Sequence, residues 1–248
     1  MFGLIAFNMS KIAERLRRVK DNIEAACSRA GRDPAEIKLV VVTKSAEIGA
    51  IEEVVHLGCV DLGENRVQQL KKVVAQVDEF LSKASTDANM PRKVNWHMIG
   101  HLQRNKVRGV LPVVCMIHSV DTLRLAEEIN NEAARENLCP LVLLQINASM
   151  EPQKFGVPVG AAIHLAEQIV TLGNLKLAGL MTMAPLTRNT DTIRECFVRV
   201  RELFAEMKGE GIVGRQFTEL SMGMSSDYEI AVEEGATILR IGSAIFSG

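Results

Sequence analysis

A lysine closes the first strongly apolar run of the chain. Residues 37–44, IKLVVVTK, are apolar and β-branched up to Lys44, the pattern of a strand buried on both faces of a parallel sheet. A lysine at the end of such a strand points into the mouth of whatever the sheet encloses. Two roles are open to it. Its amine can snorkel to solvent, or partial desolvation can leave it uncharged and nucleophilic toward aldehydes. Two segments near the other end of the chain complement it, LSMGMSSD (220–227) and RIGSAIFSG (240–248). Both mix glycines with hydroxyls: Ser221, Gly223, Ser225 and Ser226, then Gly242 and Ser243. Glycines let backbone N–H groups approach an anion closely, and helix N-termini bind phosphate. The pair reads either as two ordinary turns or as a phosphate cradle. An amine facing a phosphate cradle suggests a phosphorylated aldehyde.

His97 and His101 stand in an HxxxH spacing, which on a helix would put two metal ligands on one face. Here the intervening residues are Met98, Ile99 and Gly100, with no glutamate. The segment reads instead as a strand ending at Gly100, with His97 near the mouth and His101 in a loop. The five cysteines, Cys27, Cys59, Cys115, Cys139 and Cys196, are scattered with no CxxC pair. They read as free buried thiols of a reducing, cytoplasmic compartment, with no disulfide and no structural zinc.

Short β-rich runs alternate with longer amphipathic ones throughout. Residues 10–30 space Ile12, Leu16, Val19, Ile23 and Ala26 as one helical face, opened by Ser10 and closed by Gly31. Strands are expected at 37–44, 59–62, 94–99, 113–118, 141–147, 175–181, 217–221 and 237–241. Helices are expected at 47–57, 64–81, 103–110, 121–137, 159–172, 189–208 and 226–234. A polar loop covers 82–93, and another contains Pro152 and Pro158. Strict alternation requires a parallel sheet. Eight units predict an α/β protein built as a single (β/α)₈ TIM barrel over 9–248 with an extra N-terminal helix. Residues 1–8 read as an N-terminal extension. In such a barrel the functional residues lie at the C-terminal ends of the strands. No GxGxxG follows the first strand, which lowers the case for a dinucleotide fold.

Composition narrows the function classes. The 248 residues are 47% hydrophobic and 24% charged, with a net charge of −1, so the chain is not mainly disordered. Its 29 basic residues are offset by 30 acidic ones, which argues against nucleic-acid binding by bulk charge. The start, MFGLIAFNM, lacks the basic region of a secretory signal. No apolar run approaches the ~20 residues of a membrane span.

Taken together, several stretches carry a family likeness: VVVTKS (40–45), LGENRVQQL (62–70), WHMIGHLQRNK (96–106), LVLLQIN (141–147), GLMTMAP (179–185), LSMGMSSDYEIAVEEGAT (220–237) and LRIGSAIFSG (239–248). In order and spacing the chain resembles the pyridoxal phosphate (PLP) homeostasis proteins, also called the proline synthetase co-transcribed homolog family, from about Met9 onward. Those proteins resemble the barrel domain of alanine racemase, a fold-type III PLP-protein barrel. The resemblance implies that Lys44 holds PLP as a Schiff base and that Asn65 lies beside the cofactor ring. It implies that Ser221, Ser225, Gly242 and Ser243 hold the phosphate, with Met222 and Gly223 lining the same turn. It places His97 and Met181 near the cofactor and Arg240 at the pyridine nitrogen. A guanidinium has no acceptor, so Arg240 can only donate there, which leaves the ring a poorer electron sink.

Three positions depart from the family pattern. Thr43 stands where the family often has Ser, Ala46 where a second lysine is common, and Arg66 where Tyr commonly follows GEN. Lys154, in EPQKFG, matches a family lysine with no role fixed. The resemblance implies a monomeric carrier that stores PLP or delivers it to PLP-dependent apo-enzymes. A small amino-acid racemase is the alternative. A racemase needs two acid–base groups on opposite faces of the substrate carbon. In alanine racemases the second is a tyrosine tied to a further domain, which this sequence is not expected to carry, and the sole tyrosine, Tyr228, falls in the helix after the seventh strand. An enzyme acting on an ordinary sugar phosphate is a third reading. It lacks paired carboxylates at identifiable strand ends.

Overall fold

Lys38–Val42, the heart of the first apolar run, form β1. Seven further strands follow: β2 Asp61–Glu64, β3 Asn95–Met98, β4 Met116–Val120, β5 Leu141–Asn147, β6 Lys176–Thr182, β7 Glu219–Ser221 and β8 Ile238–Ile241. Neighbours in this order pair in parallel. β8 returns to β1, with Val40 opposite Arg240 and Val41 opposite Ile241. The sheet is therefore a closed eight-stranded barrel. A two-residue strand, Val157–Pro158, adds beside the end of β5. The computed structural model describes residues 9–84, 88, 90–151 and 153–247. The expected extension over 1–8, part of the loop 82–93, Pro152 and Gly248 lie outside the described residues.

Helices fill the outside. They are α1 Lys11–Ala30, α2 Ile48–His56, α3 Val67–Lys83, α4 Leu123–Arg135, α5 Ala162–Val170, α6 Thr190–Gly209, α7 Tyr228–Glu233 and α8 Ser243–Phe246. α1 begins where its sequence says it should. Ser10 Oγ accepts from the Ala13 N–H at 3.0 Å, and Gly31, at φ 65°, closes the helix in the left-handed region that favours glycine. Its buried face, Leu16, Val19, Ile23 and Ala26, packs against α7 and α8. Asn22 Nδ2 donates to the Tyr228 hydroxyl across that contact at 2.8 Å.

Beyond shifts of two or three residues at element ends, as at β2 and α3, two expected elements differ. The short helix at 103–110 is a 3-10 segment, Arg104–Gly109, and β4 starts at Met116 rather than at 113. The cause is local. Pro112 has no N–H to give a ladder, and the N–H groups of Val113 and Val114 turn back onto the Val110 carbonyl.

Two apolar cores result. A large one lies between sheet and helices. A small one fills the barrel, built from Val40, Met116, Leu143, Ala178, Met181 and Ile238. The seam between β7 and β8 has the shortest ladder, with Ser221 opposite Ile238 as its one register pair.

Candidate functional site

A cavity of about 670 Å³ opens at the C-terminal ends of the strands. Lys44, two residues past β1, lines it. So do Asn65 after β2, Gly100 and His101 after β3, Gln145 of β5 and Met183 after β6. The turn after β7 contributes Met224, Ser225 and Ser226, and β8 with its turn contributes Arg240, Gly242 and Ser243. Of the residues singled out in the sequence, Lys44, Asn65, Ser225, Arg240, Gly242 and Ser243 thus share one wall. Lys44 is exposed, so the partial burial expected for its amine is not found.

Arg240 is 4% exposed. Its Nη1 donates to Ser221 Oγ at 2.6 Å and its Nη2 to the Thr182 carbonyl at 2.8 Å. Burial pushes the guanidinium down to about 10, partly countered by Asp227, so it stays a cation at neutral pH. Among the described residues it forms no ion pair. Ser225 organises the opposite turn: its Oγ accepts from the N–H groups of Gly242 at 3.3 Å and Ala244 at 3.1 Å.

The remaining expected site residues do not line the cavity. His97 is 1% exposed and sits within the barrel, its Nε2 3.1 Å from Asp61 Oδ1. Met181 belongs to the small core inside the barrel. Ser221 is buried beneath Arg240, its hydroxyl occupied by that side chain and by His118 Nδ1 at 3.0 Å. Met222 packs with the outer core. Gly223, at φ 93°, is needed for a close approach, since a Cβ there would lie 2.5 Å from Ala231 Cβ. One cause serves most of these. In a parallel barrel both strand faces are buried, so apolar patterning does not separate the face toward the helices from the face toward the axis.

Two residues not expected at the site belong to the wall, His101 and Gln145. His101 reaches it because β3 ends at Met98, three residues before His101. Its ring stacks on Phe155, with centroids 4.1 Å apart, and its Nδ1 lies 3.7 Å from Asp121. The signal available was the rule that strand ends face the mouth. Gln145 is the polar residue inside the run LVLLQIN; its Nε2 donates to the Phe155 carbonyl at 3.1 Å. Lys154 pins the same rim, donating to the Ala184 carbonyl at 3.1 Å and pairing with Glu151 at 2.6 Å. Cys27, Cys59 and Cys196 are buried as expected, whereas Cys115 and Cys139 are exposed; all five are free.

Glu64 adjoins the wall through Asn65 and is 1% exposed. Burial raises its carboxyl to about 7, against hydrogen bonds from the Asn65 N–H and Thr43 and the charges of Arg66 and Lys44. The folded value lies above the ordinary 4.5, so the fold favours the protonated form. Stability therefore falls as pH rises from about 4.5 to 7 and levels off above. Glu64→Gln removes this dependence. It is expected to match the wild type near pH 4 and to exceed it at pH 8 by on the order of 2–3 kcal/mol. Denaturant melts of both proteins across that range check it.

A lysine and a buried arginine thus face one cavity at the mouth of a closed parallel barrel. The chain matches the family described as "Alanine racemase, N-terminal domain" over residues 15–248. An alanine racemase of Clostridium difficile superimposes with a TM-score of 0.70 at 13% identity, over 95% of this chain and 57% of that one, a likeness of fold. A protein of Aquifex aeolicus called pyridoxal phosphate homeostasis protein is 40% identical over 233 residues, 94% of this chain and 96% of its own. PipY of Synechococcus elongatus PCC7942, solved with PLP bound, has a TM-score of 0.77 and 31% identity, covering 95% of this chain and 100% of that one. The chain belongs to the pyridoxal phosphate homeostasis protein family.

Proposed function

We propose that this protein binds PLP in the mouth cavity and serves its homeostasis, by storage or delivery to PLP-dependent apo-enzymes, without robust catalysis of its own. One observation carries the reading: the Lys44 amine, the Arg240 cation and the two turns holding Ser225 and Gly242 face a single cavity. The donor set suits the cofactor. Lys44 supplies the amine for a Schiff base with the aldehyde. Ser225 and Ser243 bring hydroxyl groups to the phosphate, and Gly242, with no side chain, lets the backbone of its turn come close to the anion. Arg240 donates to the ring nitrogen and keeps it from being protonated. When bound, PLP supplies an aldehyde for amines and a ring that accepts electrons; a donor-only arginine weakens the second property.

The other groups argue for holding over turnover. Tyr228 is buried against α1 and accepts from Asn22, outside the cavity wall. Lys44 stands exposed at the mouth, which suits exchange with a recipient. Relatives of this family are named for homeostasis. Among the described residues no helix is long and apolar enough to cross a membrane, and the reading places the protein in the cytoplasm as a monomer. One observation favours the racemase alternative: His101 lines the cavity and offers a second acid–base group. The test is direct. Purified protein incubated with PLP should turn yellow and lose the colour to an excess of a PLP-dependent apo-enzyme. Amino-acid racemisation assays should stay near background. Robust turnover lost in His101→Asn would replace the carrier reading with the racemase one.

A further inference from the structure

A chain of buried polar side chains runs along the barrel axis beneath the cavity. Asp61, the first residue of β2, sits at the closed end and is partly exposed. Its Oδ1 lies 3.1 Å from His97 Nε2 and accepts from Asn95 Nδ2 at 3.2 Å. His97 Nδ1 lies 2.9 Å from His118 Nε2. His118 Nδ1 lies 3.0 Å from Ser221 Oγ, which accepts from Arg240 at 2.6 Å. Four strands, β2, β3, β4 and β7, thus hand one line of contacts from the bottom of the barrel to an arginine in the cavity wall.

The direction of the line follows from its ends. Arg240 can only donate. Burial raises Asp61, but hydrogen bonds from His97 and Asn95 and the charge of Lys38 outweigh it and hold the carboxyl below the usual range, so it can only accept. His118 is neutral: burial, then the nearby cations Arg240 and Lys38, push it well below the usual imidazole range. With one proton on each ring, the Asp61 carboxylate draws the His97 proton to Nε2, and His97 accepts at Nδ1. His118 must then donate from Nε2 and accept at Nδ1, and only the Ser221 hydroxyl can fill that place. Its lone pairs are left facing Arg240. Every tautomer is fixed by the charge at one end.

We propose that Asp61, His97, His118 and Ser221 are positioning residues for Arg240: a one-way relay of donors that points the Ser221 lone pairs at the guanidinium and so fixes how it faces the cavity. The need is physical. A buried cation with no carboxylate in contact is costly unless hydrogen bonds meet its donors. The Thr182 carbonyl meets one side, and the relay meets the other with an oxygen whose own proton is committed elsewhere. Asp61 closes the line with the opposite charge. The relay needs no ligand; its effect on PLP rests on the function proposed above.

Nitrogen NMR of the imidazoles in ligand-free protein tests the assignment. Near pH 8, both His97 and His118 are expected with Nε2 protonated and Nδ1 bare. Asp61→Asn substitutes a group that donates as well as accepts. Both rings should then populate the other tautomer, and the buried guanidinium signals of Arg240 should shift, although residue 61 lies at the opposite end of the barrel. PLP affinity in that variant should fall about three- to tenfold with Lys44 still labelled on reduction. A residue acting only as packing would leave the tautomers alone. Nδ1–H on either ring in the wild type overturns the proposal without any variant, as does a folded Asp61→Asn protein with unchanged tautomers and Arg240 signals. Should wild-type protein take up no PLP, the function above fails while the tautomer measurement still decides the relay.

Discussion

Lys44→Ala is expected to abolish covalent capture of PLP. Borohydride reduction of wild-type protein with PLP should fix a label on the peptide containing Lys44, and the variant should carry none. The phosphate and ring contacts proposed for Ser225, Gly242 and Arg240 remain, so weak reversible binding should persist. Loss of the covalent bond is expected to lower affinity by on the order of a hundredfold or more, at about 1.4 kcal/mol per factor of ten. Folding should be untouched, because Lys44 is exposed and lies in a turn outside β1. Lys154 is the informative control. It stands on the same rim, yet its amine is engaged by Glu151 and the Ala184 carbonyl. A wild-type label found chiefly on Lys154 would refute the assignment of Lys44.

Gly100→Ala is expected to be the most disruptive single-methyl change at the site. A Cβ at Gly100 would lie 2.2 Å from the Asn65 carbonyl oxygen and 2.8 Å from its carbonyl carbon and Cα. These are backbone atoms and cannot rotate aside, so the loops after β2 and β3 must part. Overpacking of this kind costs about 3 kcal/mol, or roughly 6–12 °C in Tm for a chain of this size. Asn65 would move with its loop, so PLP affinity should fall as well. Gly49→Ala provides the contrast. It lies in α2 with nothing within 4 Å of the added methyl, and should stabilise by roughly 0.5–1 kcal/mol. Equal melting temperatures for Gly100→Ala and wild type would show that the two loops do not pack as described.

Much of the architecture was legible because each unit carries its own signal. The run ending in Lys44, the caps of α1 and the glycine–serine turns after β7 and β8 all follow local rules. The part that stayed hidden is the barrel interior. His118 sits in MIHSV, which is buried at every position, and nothing in that run says that its ring meets His97 on one side and Ser221 on the other. Ser221 and Met222 are adjacent, so they point to opposite faces, one to the axis and one to the helices. Neither reaches the mouth. His97 lies on its strand and His101 in the loop as expected, but it is the loop residue that meets the cavity, because a strand residue stays within the wall. These are long-range facts of closure. They depend on which strand completes the ring, as β8 does beside β1.

The narrow seam between β7 and β8 has a consequence for how the barrel breathes. Proteins open locally where few contacts hold them, and amide hydrogen exchange reports where. With a single register pair between these strands, the amides around Ser221 and Ile238 are expected to exchange sooner than those of β5 and β6, whose ladder runs from Leu141–Lys176 to Ile146–Thr182. Arg240 and Ser225 lie on the two sides of that seam, one on β8 and one in the turn after β7. A ligand gripping both would act as a clasp across this short joint, slowing exchange there first and making occupancy of the cavity visible in the motion of the barrel itself.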